Sequence, residues 1–135
     1  MSITNGSEAP RWRRFGLWAV KALLAAAFAA AGSAKLVGMQ PMVAAFDTIG
    51  FGQWFRYLTG TIEVAGAAAL LLPALAGFAA VLLAATMVGA TAAHLTILPG
   101  SPLPAVLLLT LCLLIASAHR STIEATAKSA LLGRD

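Results

Sequence analysis

The sequence has one cysteine, Cys112, so an intramolecular disulfide and a dithiol relay are both excluded. Its two histidines, His94 and His119, are too few and too widely separated for metal-ligand spacing, and no metal site is expected. Charged residues make up only 10% of the chain, far below the share a soluble domain needs to cover its surface. Other familiar chemistry is missing too. No Gly-rich phosphate loop follows a strand pattern, and Ser, His and Asp are too scattered to form a nucleophile system. The net charge of +4 and pI near 10.0 do not point to nucleic acid, because the basic residues flank apolar runs instead of forming a patch with interleaved aromatics.

What is present is apolar sequence. Hydrophobic residues are 60% of the chain and the mean hydropathy is +0.88, which places it among integral membrane proteins. Anionic lipid headgroups are therefore the natural partners of the basic residues.

The pattern divides the chain into a polar tail over residues 1–10, expected to be disordered, a membrane unit over 11–120 and a short amphipathic tail over 121–135. Four apolar runs, at about 15–36, 55–72, 75–95 and 103–118, read as spanning helices. The fold class is all-α, a transmembrane four-helix bundle. The first run, with basic residues before it and Gly32-Ser33-Ala34 near its end, also fits a secretory signal peptide; its length favours a span, since h-regions run about 7 to 15 residues. Between the first two spans, Met42, Val43, Phe46 and Ile49 recur at helical spacing between Gln40-Pro41 and Gly50, with Asp47 on the other side. That pattern predicts a short amphipathic helix on the membrane surface, the competing account being a plain loop. Pro73-Ala74 leaves room only for a tight turn, so the second and third spans form a hairpin.

Seven of the nine basic residues (Arg11, Arg13, Arg14, Lys21, Arg120, Lys128, Arg134) fall near the two chain ends, and only Lys35 and Arg56 near the opposite face. Four spans return both ends to one side. The positive-inside rule then places both termini in the cytoplasm. The expected location is a bacterial inner membrane.

One residue stands out against this background. Glu63 lies inside the second span, where a carboxylate costs on the order of 2.5 to 3.5 kcal/mol, and such residues mark function or a paired structural contact. Its neighbours three and four positions away are Thr59, Gly60, Gly66 and Ala67, a face of small residues suited to close helix contact. Gly32, Gly60, Gly66 and Gly89 are the expected packing glycines. Lys35, Arg56 and His94 fall at a depth similar to Glu63 in this topology, so the four form a candidate polar pocket in the outer half of the bundle. Two accounts remain open: a site that takes part in proton exchange or binds the head of an apolar molecule such as a quinone or isoprenoid, and a quiet internal fastener.

The stretches AAGSAKLVG (30–38), GTIEVAGAAALLLP (60–73) and ATMVGATAAHL (85–95) resemble the DoxX and DoxX-like family of small integral membrane proteins. The matching features are a lysine closing the first span, Gly-x-x-Glu opening the second and a histidine late in the third, carried by Lys35, Gly60 with Glu63, and His94. The resemblance implies a four-helix membrane bundle and an association with oxidoreductases: family members are small membrane subunits of a thiosulfate:quinone oxidoreductase or belong to complexes involved in oxidative stress. No cofactor is evident in the residues; the resemblance makes a quinone the candidate and an oxidoreductase the expected partner. The vitamin K epoxide reductase type of bundle is similar in architecture, but the paired cysteines of that chemistry are missing. No self-contained catalytic motif is present, so the chain is at most an oxidoreductase subunit. A non-catalytic scaffold or assembly subunit is the alternative. A transporter comes third, since so short a chain would need to form a homo-oligomer to build a pathway.

Overall fold

The computed structural model describes residues 9–133, which form six helices and no strand: α1 (Arg11–Leu36), α2 (Gln40–Ile49), α3 (Gln53–Leu70), α4 (Ala76–Thr96), α5 (Leu103–Ala118) and α6 (Arg120–Leu132). The expected disordered tail lies outside the described residues except for Ala9 and Pro10. Arg134 and Asp135 lie outside them as well.

Ala and Leu fill the long helices, and straight-chain and small residues lose little side-chain freedom there. Prolines open α2 and α5 within the first turn, where a missing N–H costs nothing. Gly38, at φ +72°, ends α1: its N–H reaches the Lys35 carbonyl at 3.3 Å, and the Met39 N–H reaches the Ala34 carbonyl at 3.1 Å. Those two bonds satisfy carbonyls that the helix leaves free, and they turn the chain into α2. The region between the first two long helices is therefore a helix and not a plain loop.

Helix α1 packs on α3, α3 on α4, α4 on α5, and α5 back on α1. Contacts fix the directions. The end of α1 meets the start of α3 at Gly32 and Gly60, Gly66 of α3 meets Leu83 of α4, and Gly77 at the start of α4 meets His119 at the end of α5. Each neighbour therefore runs opposite to the last. Leu24, Phe28, Leu70, Ala80, Leu83, Cys112 and Ile115 meet in the middle with no exposed surface. This layer is a dry core.

The outside is apolar as well. Leu23, Val81, Leu82, Val88, Leu107, Leu113 and Leu114 are all about half exposed or more, a surface that water would penalise and lipid would not. Hydroxyls on the long helices are turned inward: Thr59, Thr61, Thr86, Thr91, Thr96 and Thr110 each donate to the carbonyl four residues back, at 2.7 to 3.0 Å. Satisfied hydroxyls suit hydrocarbon surroundings.

Among the described residues, α1 and α4 are long and apolar enough to cross a membrane by themselves, and α5 with α6 qualifies only as one span bent by 64°. The two other expected spans fall short for physical reasons. Helix α3 carries Arg56 and Glu63 within 18 residues, and α5 stops after 16, about 24 Å at 1.5 Å per residue.

Candidate functional site

Glu63 and Lys35 meet because two glycines let their helices touch. A Cβ on Gly32 would lie 2.8 Å from the Gly60 carbonyl oxygen and 3.0 Å from the Glu63 Cβ. One turn beyond Gly32 is Lys35, and one turn beyond Gly60 is Glu63. The lysine Nζ donates to Glu63 Oε2 at 2.8 Å, with the lysine side chain 13% exposed and the glutamate 2%. An ion pair this well buried satisfies both charges inside the protein.

Arg56 does different work. Its Nη1 donates to the Lys35 backbone carbonyl and its Nε to Gln53 Oε1, while the guanidinium stacks 4.3 Å from the centre of the Tyr57 ring. It forms no ion pair with Glu63, which is bridged to Lys35 alone among the described residues. A buried guanidinium on a last-turn carbonyl caps the negative end of α1. Gln53 extends the link, its Nε2 donating to Asp47 Oδ1 at 2.7 Å and to the Val43 carbonyl at 3.1 Å. Helix α2 is thus tied to α3 and, through Arg56, to α1.

Under α2 lies a cavity of about 1040 Å³, walled by α1 to α5. Phe28, Phe46, Phe55, Met87, Ile62 and Leu108 are among its apolar lining, and Lys35, Glu63 and His94 are its charged or titratable groups. His94 Nδ1 is buried with no hydrogen-bond partner. An orphaned buried ring nitrogen is unusual, because leaving a polar atom unsatisfied costs about 1 to 3 kcal/mol.

Of the expected site residues, the structure brings Lys35, Glu63 and His94 to one cavity and puts Arg56 just outside it. Of the expected packing glycines, Gly32 and Gly60 meet each other's backbones and Gly66 meets Leu83. Gly89 has nothing within 4 Å of its Cβ position and lines the cavity, so its packing role is corrected to a wall position. Gln53 and the pair formed by Lys21 and His119 are absent from the expectations. Gln53 was visible as a polar residue one turn before Arg56. Lys21 was visible as a cation well inside an apolar run.

Among the described residues no three His, Cys, Asp or Glu side chains gather as metal ligands. No characterised protein and no solved structure gives a match to the chain. The pattern that defines the DoxX-like family does match, over residues 19–118. That segment holds most of α1, all of α2 to α5 and every residue lining the cavity, and by that match the chain belongs to the DoxX-like family.

Proposed function

We propose that α1, α3, α4 and α5 cross a bacterial inner membrane as a four-helix bundle with both termini in the cytoplasm, and that the cavity under α2 binds a quinone-like or other lipid-soluble molecule for a partner oxidoreductase. The observation that carries this reading is His94 Nδ1, buried without a partner in an apolar cavity that also holds the Lys35–Glu63 pair. A ligand carbonyl or hydroxyl would complete the histidine, and the apolar walls would take a ring or isoprenoid tail. The cavity volume lies at the upper end of the roughly 300 to 1,000 Å³ range of small-molecule sites.

Several features support the membrane placement. Trp12 and Trp18 are exposed near one end of α1, and Trp54 and Tyr57 are exposed at the start of α3, which lies at the other end of α1. Two such belts suit two headgroup layers. The basic groups Arg11, Arg13, Arg14 and Arg120 sit at the end where α1 begins and α5 finishes, the end a cytoplasmic face would attract.

The test is direct binding of a short-tailed quinone to the purified protein, followed by calorimetry. His94→Leu is expected to weaken binding about tenfold or more, through one lost polar contact in a dry site, and to leave the fold intact because Nδ1 bonds nothing in the protein. Unchanged affinity in His94→Leu would sink the reading. The scaffold alternative rests on the apolar exterior: co-purification of an obligatory membrane protein partner with no bound small molecule would favour it.

A further inference from the structure

Lys21 is the buried lysine of α1, 14 residues before the partly buried Lys35 and about 21 Å from it along the helix at 1.5 Å per residue. The dry core of Leu24, Leu70, Leu83 and Ile115 belongs to the stretch between them. Lys21 is 5% exposed. Its Nζ lies 3.1 Å from His119 Nε2, where α5 breaks into α6, and 5.7 Å from the centre of the Trp18 ring.

The histidine's bonds fix its role. His119 Nδ1 sits 3.0 Å from the Ile115 carbonyl oxygen, and a carbonyl only accepts, so Nδ1 carries the hydrogen. Nε2 of the neutral ring then offers its lone pair to the ammonium. This uses one of the three N–H donors of Lys21. Among the described residues that ammonium makes no other hydrogen bond, and no carboxylate comes within salt-bridge distance of it. The Trp18 ring face adds a weak attraction. The contrast with Lys35 is sharp, since there a partly buried lysine has its own glutamate. A buried ammonium with spare donors and no counter-charge among the described residues favours an anionic oxygen arriving from outside the chain.

The surroundings say which kind. Arg14, Trp18 and Lys21 fall at helical spacings of four and three, so they share one face of α1, with the arginine exposed at the outer end and the tryptophan half-exposed between. Arg120 follows His119 directly. Exposed arginine, interfacial tryptophan and buried lysine descend in order from headgroup level into the bundle.

We propose that the Lys21–His119 pair, with Trp18 beside it, is a binding site for the phosphodiester of an anionic phospholipid in the leaflet at the end where the basic residues gather. His119 holds the ammonium by one hydrogen, leaving the other two to donate to phosphate oxygens, and Arg14 answers the same charge from the rim. The acyl chains of the lipid lie along the apolar outside of α1. This site is independent of the cavity under α2, and no ligand in that cavity is required for it.

The test uses the full-length protein in nanodiscs holding equal amounts of phosphatidylglycerol and phosphatidylcholine with the same acyl chains, followed by native mass spectrometry of the lipids it keeps. The wild type is expected to retain phosphatidylglycerol over phosphatidylcholine about tenfold, the strength of one charge-assisted contact. Lys21→Gln brings the ratio near parity, whereas Lys128→Gln, which removes an exposed charge of α6, leaves it alone. If Lys21→Gln fails to fold, phosphorus NMR of the wild type decides: an immobilised phosphatidylglycerol signal supports the site and freely tumbling lipid of both kinds overturns it. A wild type with no preference, or a preference that survives Lys21→Gln, also overturns the proposal. Inorganic phosphate at millimolar concentration is expected to leave the lipid in place; displacement would assign the site to free phosphate and overturn the lipid.

Discussion

Gly32 and Gly60 are reciprocal: a Cβ on either would fall 2.8 to 3.0 Å from the carbonyl oxygen of the other. Each helix therefore occupies the space that the other's missing side chain leaves. The ion pair one turn away depends on this approach.

Gly60→Ala is accordingly expected to cost about 1 to 3 kcal/mol through forced separation of packed helices, and Gly32→Ala about the same. Gly16→Ala, at a position with nothing within 4 Å, serves as the control and should be neutral or slightly stabilising. Thermal unfolding in detergent of the three variants checks the ordering.

Breaking the ion pair from one side should be worse than removing it whole. Lys35→Met leaves Glu63 buried without its partner and is expected to cost about 3 to 5 kcal/mol, while Lys35→Met with Glu63→Leu recovers most of that loss. A double-variant cycle by denaturant unfolding measures the difference. A double-variant cost equal to the sum of the two single costs would show that the pair contributes nothing beyond its separate side chains.

Arg56 caps α1 through the Lys35 carbonyl and anchors Gln53, so Arg56→Met should detach α2 from the bundle and cost about 2 to 4 kcal/mol. Arg56→Lys should not rescue it, because an ammonium cannot reproduce the forked, stacked geometry. Faster hydrogen exchange over residues 40–49, with the core of α4 unchanged, is the expected signature.

Gly89 offers the cleanest way to close the cavity. A side chain there meets no neighbour at Cβ and points into the open volume, so Gly89→Leu should abolish binding of a quinone-like molecule while the melting temperature holds or rises. Retained binding would place the ligand elsewhere.

Much of this arrangement was legible in residue order. The apolar runs gave the long helices, Pro41 and Gly50 bracketed α2, and Glu63 in an apolar helix announced its need for a partner. Which partner was not legible. Lys35, Arg56 and His94 were equivalent by depth, and the choice was made by how closely α1 and α3 approach, a property of two facing backbones. Arg56 went to a helix carbonyl that no pattern marks. Lys21 and His119 are 98 positions apart, and their meeting follows from the closing of the ring of helices, not from either neighbourhood. The bounds of α5 were legible, since the apolar run at 103–118 is the helix observed; the turn at His119, which is wedged against Gly77, was not.

The layer formed by Leu24, Leu70, Leu83, Cys112 and Ile115, sealed to 0% exposure, lies between the Glu63 end of the molecule and the Lys21 end. Side chains packed without exposed surface leave no path for a file of water, so under the proposed function a proton exchanged beside Glu63 would return to the side from which it came. In the proposed membrane placement the bundle would therefore insulate, leaving chemistry at one face without short-circuiting the gradient across it.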